Sequence, residues 1–300
     1  MTATDTPEDS SAPLIEHLTE LRSRLIRSVM AFVVGMVLCF AVGGMILDFL
    51  LVPIENTMRA LGNPNPVMQF TAPQEYFFTL VRISMVGGLM VSFPVIATQL
   101  WRFVAPGLYK TEKNAFLPFL IASPVLFLMG AAFAHYVVVP LAMAFFLGFA
   151  DIPSFVSAFM ATGDVAQAQR DSGIDIVFNG KVNETLDITL KMIVAFGLCF
   201  QLPVLLTLMG KAGLVSSEGL KNVRKYAIIG ILVLAALVTP PDVVTQIILF
   251  VVVYSLYEIS IWLVKSVEKK RERTLREEGF YDDEDEAEDP LMKEFDEDDD

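Results

Sequence analysis

Charged residues are scarce in this chain. They make up 19% of its 300 residues, against 54% that are hydrophobic. This balance lies outside the usual range of soluble domains and favours a protein that folds in a lipid bilayer. Histidine and cysteine are scarcer still, with two of each. Two histidines that are far apart in sequence suggest neither a zinc cluster nor a Ser-His-Asp set. Two cysteines inside apolar runs suggest neither a disulfide framework nor a metal site.

The sequence also lacks a Gly-rich loop followed by Lys-Ser or Lys-Thr, so it does not predict nucleotide hydrolysis. We therefore expect no enzyme activity, no cofactor and no bound metal. The sequence contains no internal repeat of the kind that marks many secondary transporters. Any work that the protein performs has to draw its energy from elsewhere.

Acidic residues are abundant, but they are concentrated at one end. The formal net charge is -13, yet residues 277–300 hold 15 of the 35 acids and one of the 22 bases, which leaves 21 bases and 20 acids elsewhere. Such a run of like charges predicts a solvated, disordered tail. Nucleic acid is not an expected partner, because the rest of the chain is close to neutral.

Long apolar runs dominate the remaining sequence. A membrane-spanning helix needs roughly 20 mainly apolar residues, and the chain offers runs at about 25–47, 76–100, 115–148, 190–210, 226–238 and 243–264. We therefore predict an all-α polytopic membrane protein with six transmembrane helices. The third run contains Pro118, Pro124 and Pro140, so we expect it to be kinked or to extend beyond the hydrocarbon. The fifth is too short to cross a bilayer of ordinary thickness, which predicts local thinning.

Lysine and arginine cluster at the ends of these runs on one side. They precede the first run, lie between the second and third and between the fourth and fifth, and follow the sixth, which predicts that both termini are cytoplasmic. We divide the chain into a cytoplasmic segment with an amphipathic helix at 1–23, a membrane domain at 24–264 and a basic, then acidic, tail at 265–300. External loops are expected at about 48–75 and 149–189. The prolines of 48–75 favour turns over a helix.

Two cytoplasmic acids have competing interpretations. Glu20 lies four residues before Arg24 on the amphipathic helix, so it can form a local ion pair or present a carboxylate to a cationic ligand at the membrane surface. Glu112 lies between Lys110 and Lys113 in a loop with a Pro-Gly break, where a lysine can satisfy it within a tight turn.

Four polar residues lie within or beside the apolar runs, where burial is costly and usually requires a partner or a wet cavity. Arg82 can snorkel outward. Gln201 can face a hydrated concavity or hydrogen-bond to a neighbouring helix. Gln246 shares a helical face with Asp242, and Glu258 lies near the cytoplasmic end of its run.

Several sequence blocks follow one another along the chain. They are Leu14-Ile15-Glu16-His17-Leu18-Thr19-Glu20-Leu21-Arg22, Pro53, Gln99 to Leu108 followed by Tyr109-Lys110-Thr111-Glu112, Phe133 to Pro140, Phe200-Gln201-Leu202-Pro203-Val204, and Thr239-Pro240-Pro241-Asp242 with Gln246. In this order they resemble the blocks of the TatC family, a subunit of the twin-arginine protein translocase, and the match covers most of residues 14–264.

The resemblance implies a glove-shaped, concave bundle of six helices in the bacterial inner membrane. It implies a receptor for the twin-arginine signal peptides of folded exported proteins, driven by the proton motive force. The implied partners are TatA-type and TatB-type single-span subunits, further copies of the chain and the lipid bilayer. Residues matching the family's signal-peptide surface are Glu20, Arg22, Phe103, Pro106 and Glu112. Those matching its structural and transport positions are Pro53, Gln201, Asp242 and Gln246.

This chain departs from the family pattern in two ways. Many family members carry Glu where this chain has Gln201, and the second external loop is longer than usual. Two other functions stay open at this point. A small-solute secondary transporter would need an ion-coordinating acid near the midplane, whereas the only acid inside an expected run is Glu258, near its end. A purely structural scaffold is the other possibility.

Overall fold

The computed structural model describes residues 8–60, 63, 65–104, 113–149, 179–239 and 242–277. It describes their side chains from Leu18 onward, apart from those of residues 104, 113–117, 148–149, 275 and 277. The predicted site residues Pro106 and Glu112, most of the second external loop and the acidic tail lie outside the described residues. Where it is described, the chain is almost entirely helical. The helices are α1 Glu8–Ala41, α2 Gly43–Ala60, α3 Glu75–Val104, α4 Lys113–Phe133, α5 Val139–Phe149, α6 Val182–Cys199, α7 Leu202–Lys211, α8 Ser217–Asn222, α9 Arg224–Val238 and α10 Val243–Glu277.

Five helical segments of the described chain are long and apolar enough to cross a membrane. They are Leu18–Ala41, Glu75–Phe103, Pro118–Leu147, Val182–Lys211 and Val243–Thr274. The remaining predicted run, the fifth at 226–238, lies in α9, which has 15 residues. At about 1.5 Å per residue α9 is about 22 Å long, short of a hydrocarbon core of about 30 Å. The polytopic helical architecture is thus confirmed through five spans, and α9 is a shorter apolar helix.

Helices α1 and α3 approach each other closely through glycines. A Cβ added at Gly88 would lie 2.6 Å from the backbone nitrogen of Met36, and one added at Gly35 would lie 2.9 Å from the carbonyl oxygen of Gly88. Small residues that let two backbones approach are a common basis of helix association in membranes, where apolar burial drives little. The two glycines therefore set the distance between the first two spans.

Residues 43–60 form α2, so the expectation of turns rather than a helix in 48–75 is wrong for its first part. Pro53 is buried inside this helix. A proline within a helix costs about 3 kcal/mol. Opposing that cost is an apolar face at helical spacing, whose members each contribute about 1.5–3 kcal/mol when fully buried. This face consists of Leu47, Leu50, Ile54 and Met58. The prolines of 48–75 pointed to turns, so this helical spacing of apolar residues was not recognised from the sequence.

The third span is interrupted where its last proline lies. A single π-helical turn, Ala134–Val138, separates α4 from α5, and Pro140 follows two residues later. A proline ring clashes with the carbonyl of the fourth preceding residue in a regular helix, and the wider π turn provides room for it. Pro118 and Pro124 lie within α4 without ending it. The predicted irregularity is therefore found at one of the three prolines.

The core lies where α4, α5, α6 and α10 meet. Phe196 is fully buried there, and Phe127 is fully buried in a smaller cluster between α3, α4 and α7. Gly197 makes room for Phe127, since an added Cβ would lie 2.7 Å from its ring. The ring of Phe93 on α3 stacks on Phe127 with centroids 3.9 Å apart. These contacts join α3, α4 and α6 into one wall of the bundle.

A short parallel β-pair joins two segments that are far apart in sequence. Strand β1, Met68–Gln69, pairs with β2, Gly180–Lys181, in the register Met68 with Gly180 and Gln69 with Lys181. Strand β2 leads directly into α6, and α3 begins shortly after β1. The pair therefore ties the beginnings of α3 and α6 together.

Candidate functional site

Glu20 forms the local ion pair that its spacing allows. Arg24 donates from Nε to Glu20 Oε1 at 3.0 Å, and Arg24 Nη2 donates to the same oxygen. The Glu20 side chain is 41% exposed and that of Arg24 is 20% exposed. A pair of this kind contributes a few tenths of a kcal/mol. The ion pair leaves the carboxylate at the surface, beside the exposed Arg22.

The packing of α1 on α3 places Glu20 at the end of α3 that carries Phe103. Gly35 lies against Gly88, and the ring of Phe40 contacts that of Phe77, so the two helices run antiparallel. Glu20 and Phe103 lie the same number of residues away from the contact of Gly35 with Gly88, in the same direction, so Glu20 is about level with Phe103. Phe103 is half-buried in the last turn of α3. These two predicted site residues therefore share one end of the bundle.

Gln201 hydrogen-bonds to a neighbouring helix, which is the second of the two interpretations of this residue. Ser123 on α4 donates from Oγ to Gln201 Oε1 at 2.6 Å, and Gln201 Nε2 donates to the Ser123 carbonyl oxygen at 2.9 Å. Trp101 Nε1 on α3 donates to Ser123 Oγ at 3.1 Å. Gln201, at the junction of α6 and α7, thus completes a network that links three spans. It is half-buried.

Arg82 pairs with α6 rather than snorkelling alone. Its Nη1 donates to Asn183 Oδ1 at 3.0 Å and lies 3.5 Å from Asp187 Oδ1. Lys191 Nζ lies 2.6 Å from the other oxygen, Asp187 Oδ2. Sequence reasoning missed this cluster, although an arginine in an apolar run and the spacing of Asn183, Asp187 and Lys191 on one helical face together signal it.

Asp242 caps α10 and is buried. Its Oδ1 accepts a hydrogen bond from the backbone nitrogen of Thr245 at 2.7 Å, and its Oδ2 accepts one from the Thr245 hydroxyl. The backbone nitrogen of Gln246 donates to the Asp242 carbonyl oxygen at 3.3 Å. This arrangement satisfies orphan donors at the start of the last span. Asp242 therefore has a defined structural role at the start of α10.

Glu258 has an intramolecular cation as its partner. Arg224 Nη2, at the start of α9, donates to Glu258 Oε2 at 2.6 Å, and the Tyr254 hydroxyl donates to Glu258 Oε1 at 3.0 Å. Tyr257 donates to the carbonyl oxygen of Leu220 at 2.7 Å. Together these bonds hold α8 and α9 against α10. The pairing of Arg224 with Glu258 was not predicted from the sequence.

The described side chains include no group of three His, Cys, Asp or Glu that is placed to hold a metal ion. The structure places Gln201 beside the end of α3, and it places Glu20 at the same end of the bundle as Phe103. Pro53 and Asp242 lie in other parts of the bundle.

Comparison with known proteins decides the family. The model of the family described as Sec-independent protein translocase protein (TatC) matches residues 16–251. The chain belongs to the TatC family. It is 42% identical to the TatC protein of Magnetococcus marinus over 88% of each chain. It is 36% identical to that of Aquifex aeolicus, over 86% of this chain and 97% of the relative.

Solved structures agree with this assignment. A crystal structure described as the twin arginine translocase receptor TatC matches with a TM-score of 0.66 at 36% identity, covering 84% of this chain and 99% of that one. A second, of the same receptor in DDM, matches with a TM-score of 0.65. The chain is therefore a multi-pass membrane protein and a subunit of a Sec-independent protein translocase, which works in a complex with other Tat subunits.

Proposed function

We propose that this TatC family member is the receptor for twin-arginine signal peptides, and that Glu20 and Glu112 bind the two arginines. Two guanidinium groups require carboxylates, which they engage in bidentate, charge-assisted hydrogen bonds. The observation that carries the proposal is the register of α1 on α3, which brings the surface carboxylate of Glu20 level with Phe103. The related crystal structures, described as receptors, support the same role.

Chain connectivity supports a shared patch for the two acids. Helix α3 ends at Val104 and α4 begins at Lys113, so Glu112 immediately precedes α4. We propose that Glu112 joins Phe103 and Glu20 in one surface. We include Arg22, Phe103 and Pro106 in the same surface, where they shape the approach of the peptide.

We further propose that α9 is a shortened span, which brings the number of spans to six, and that these helices form a concave, glove-like bundle. We also propose that the protein lies in the bacterial inner membrane with both termini in the cytoplasm. The distribution of basic residues supports this orientation. TatA-type and TatB-type single-span proteins are the proposed partners, further copies of the chain are expected in the complex, and the proton motive force is the proposed energy source. Pro53, Gln201, Asp242 and Gln246 maintain the helix arrangement that transport requires.

A small-solute transporter has less support. Such a protein needs an acid that is available to coordinate an ion within the membrane. Two described acids in the apolar helices, Asp187 and Glu258, are each held by cations of the chain itself: Arg82 and Lys191 in the first case, Arg224 in the second.

The test is the affinity of a twin-arginine peptide for the full chain purified in detergent. Glu20→Gln removes one charge-assisted partner, worth about 1.5–3 kcal/mol, so we expect about tenfold weaker binding or more. Glu112→Gln should act likewise, and a twin-lysine peptide should bind wild type more weakly.

A matched control is available on α2. Glu55 forms the same kind of i,i+4 pair with Arg59 as Glu20 forms with Arg24, and both Glu55 and Arg59 are exposed. Glu55→Gln should leave peptide affinity unchanged. Unchanged affinity in a correctly folded Glu20→Gln, Glu112→Gln double variant would leave these acids as ordinary surface ion pairs and end the receptor-site proposal.

A further inference from the structure

An apolar groove of about 720 Å³ lies along α6, with charged side chains at one end. Helix α6 forms its floor, while one turn of α3 and the last turn of α9 flank it. Its volume falls within the range of ordinary ligand sites. The apolar walls are formed by Met85, Val86, Leu190, Val194, Leu198 and Leu237.

The charges at the groove are the Arg82, Asp187 and Lys191 cluster. Two cations share one carboxylate, so the lining carries a net positive charge. Arg82 is 47% exposed and Lys191 is 66% exposed. A guanidinium has five N–H donors and an ammonium three, and Arg82 uses only Nη1 for its described contacts. The cluster can therefore donate hydrogen bonds to an anion while its internal pairs stay intact.

The dimensions of the groove match one leaflet of a bilayer. From Asp187 to Leu198 it extends about 16 Å along α6, at a rise of about 1.5 Å per residue. Half of a hydrocarbon core of about 30 Å is about 15 Å. A ligand bound with its anionic group at Arg82 and Lys191 would therefore place its apolar part at leaflet depth.

We propose that this groove binds one anionic phospholipid, whose phosphate contacts Arg82 and Lys191 and whose acyl chain lies along α6. Basic sites between membrane helices are known to hold lipid head groups. The short α9 creates the site, since it ends at Val238 and contributes only its last turn to the wall. The proposal is independent of the signal-peptide surface, which lies at the other end of α3.

The test is a titration of phosphatidylglycerol onto the delipidated full chain, followed by native mass spectrometry. We expect one saturable site. Lys191→Gln should weaken it about tenfold, the effect of losing one charge-assisted hydrogen bond. Ala195→Phe, which fills the groove with a ring, should weaken it at least as much. Phosphatidylcholine with the same chains should bind less tightly, and glycerol phosphate without chains should not compete.

Two matched controls separate the site from general effects. Arg59→Gln removes a cation paired to an acid on α2, outside the groove, and Ala132→Phe adds the same ring at an exposed position of α4. Both should bind phosphatidylglycerol as wild type does. Equal affinity in wild type and Ala195→Phe, binding that never saturates, or equal affinity for the two lipids would overturn the proposal. If the groove instead receives an apolar helix of another chain, the purified protein will show no stoichiometric lipid site, and the proposal also fails.

Discussion

Gln201 and Ser123 exchange two hydrogen bonds across the interface between α4 and the junction of α6 and α7, at 2.6 Å and 2.9 Å. Both bonds are neutral, because an amide can accept and donate at once. The same hydroxyl accepts a bond from Trp101 at 3.1 Å. A fixed, uncharged contact therefore joins α3, α4 and the junction of α6 and α7.

Replacing Gln201 with Leu should separate these helices. The change removes both bonds to Ser123, and we expect a loss of about 1 kcal/mol, since hydrogen bonds between membrane helices average about 0.6 kcal/mol each. Stability against SDS unfolding is the measurement. Adding Ser123→Ala completes a double-mutant cycle, and fully additive losses would contradict a direct coupling. Transport should fall more than assembly does.

An alanine at Gly88 should push α1 away from α3. Its Cβ would lie 2.6 Å from the backbone nitrogen of Met36, and backbone cannot move aside as a flexible side chain can. Overpacking of this kind costs about 1–3 kcal/mol. The melting temperature in detergent should fall accordingly.

Gly230 on α9 is the control for that substitution, because an added Cβ there meets nothing within 4 Å. Gly230→Ala should be neutral or slightly stabilising, since alanine favours a helix over glycine. Equal melting temperatures for the Gly88 and Gly230 variants would show that the close approach does not hold the pair together.

Asp242→Ala should loosen the start of α10. The variant loses the acceptor for the Thr245 backbone nitrogen and hydroxyl, a capping interaction worth about 0.5–2 kcal/mol. Asp242→Asn keeps a capping oxygen and should recover most of the loss. Hydrogen exchange at Thr245 and Gln246 reports the effect locally. Unchanged protection in the alanine variant would contradict the capping role.

Helix α9 should lie in thinned bilayer. Its length of about 22 Å falls short of the hydrocarbon thickness. Spin labels placed along residues 226–238, in the protein reconstituted in vesicles, should therefore show a compressed depth profile. A profile typical of a full-thickness crossing would contradict the prediction, and labels along the longer α3 provide the reference.

The apolar runs predicted the helices well because burial in a bilayer selects for composition, which can be counted. Helix α2 was not predicted, because its prolines suggested turns. The feature that stabilises it is the helical spacing of the buried residues Leu47, Leu50, Ile54 and Met58. The pairing of Arg82 with Asp187 and that of Arg224 with Glu258 were also missed. Each joins residues that are distant in sequence, so their contact depends on how the helices are arranged.

The local bond of Glu20 to Arg24 was foreseen as one of two interpretations, because a separation of four residues suffices to predict it. The register that brings Glu20 level with Phe103 was not foreseen. It follows from the glycines of α1 and α3, and glycines carry no side chain from which an apolar pattern can be read. The sequence blocks pointed to the family, whereas the spacing of residues alone left several functions open.

The parallel pairing of Met68 with Gly180 and of Gln69 with Lys181 has an evolutionary consequence. Backbone hydrogen bonds join these strands, so the pairing tolerates substitution of most side chains. The stretch of sequence between α5 and Gly180 can then lengthen or shorten in different lineages without displacing the start of α6. Insertions should accumulate in that stretch, while the distance from β2 to α6 stays constant.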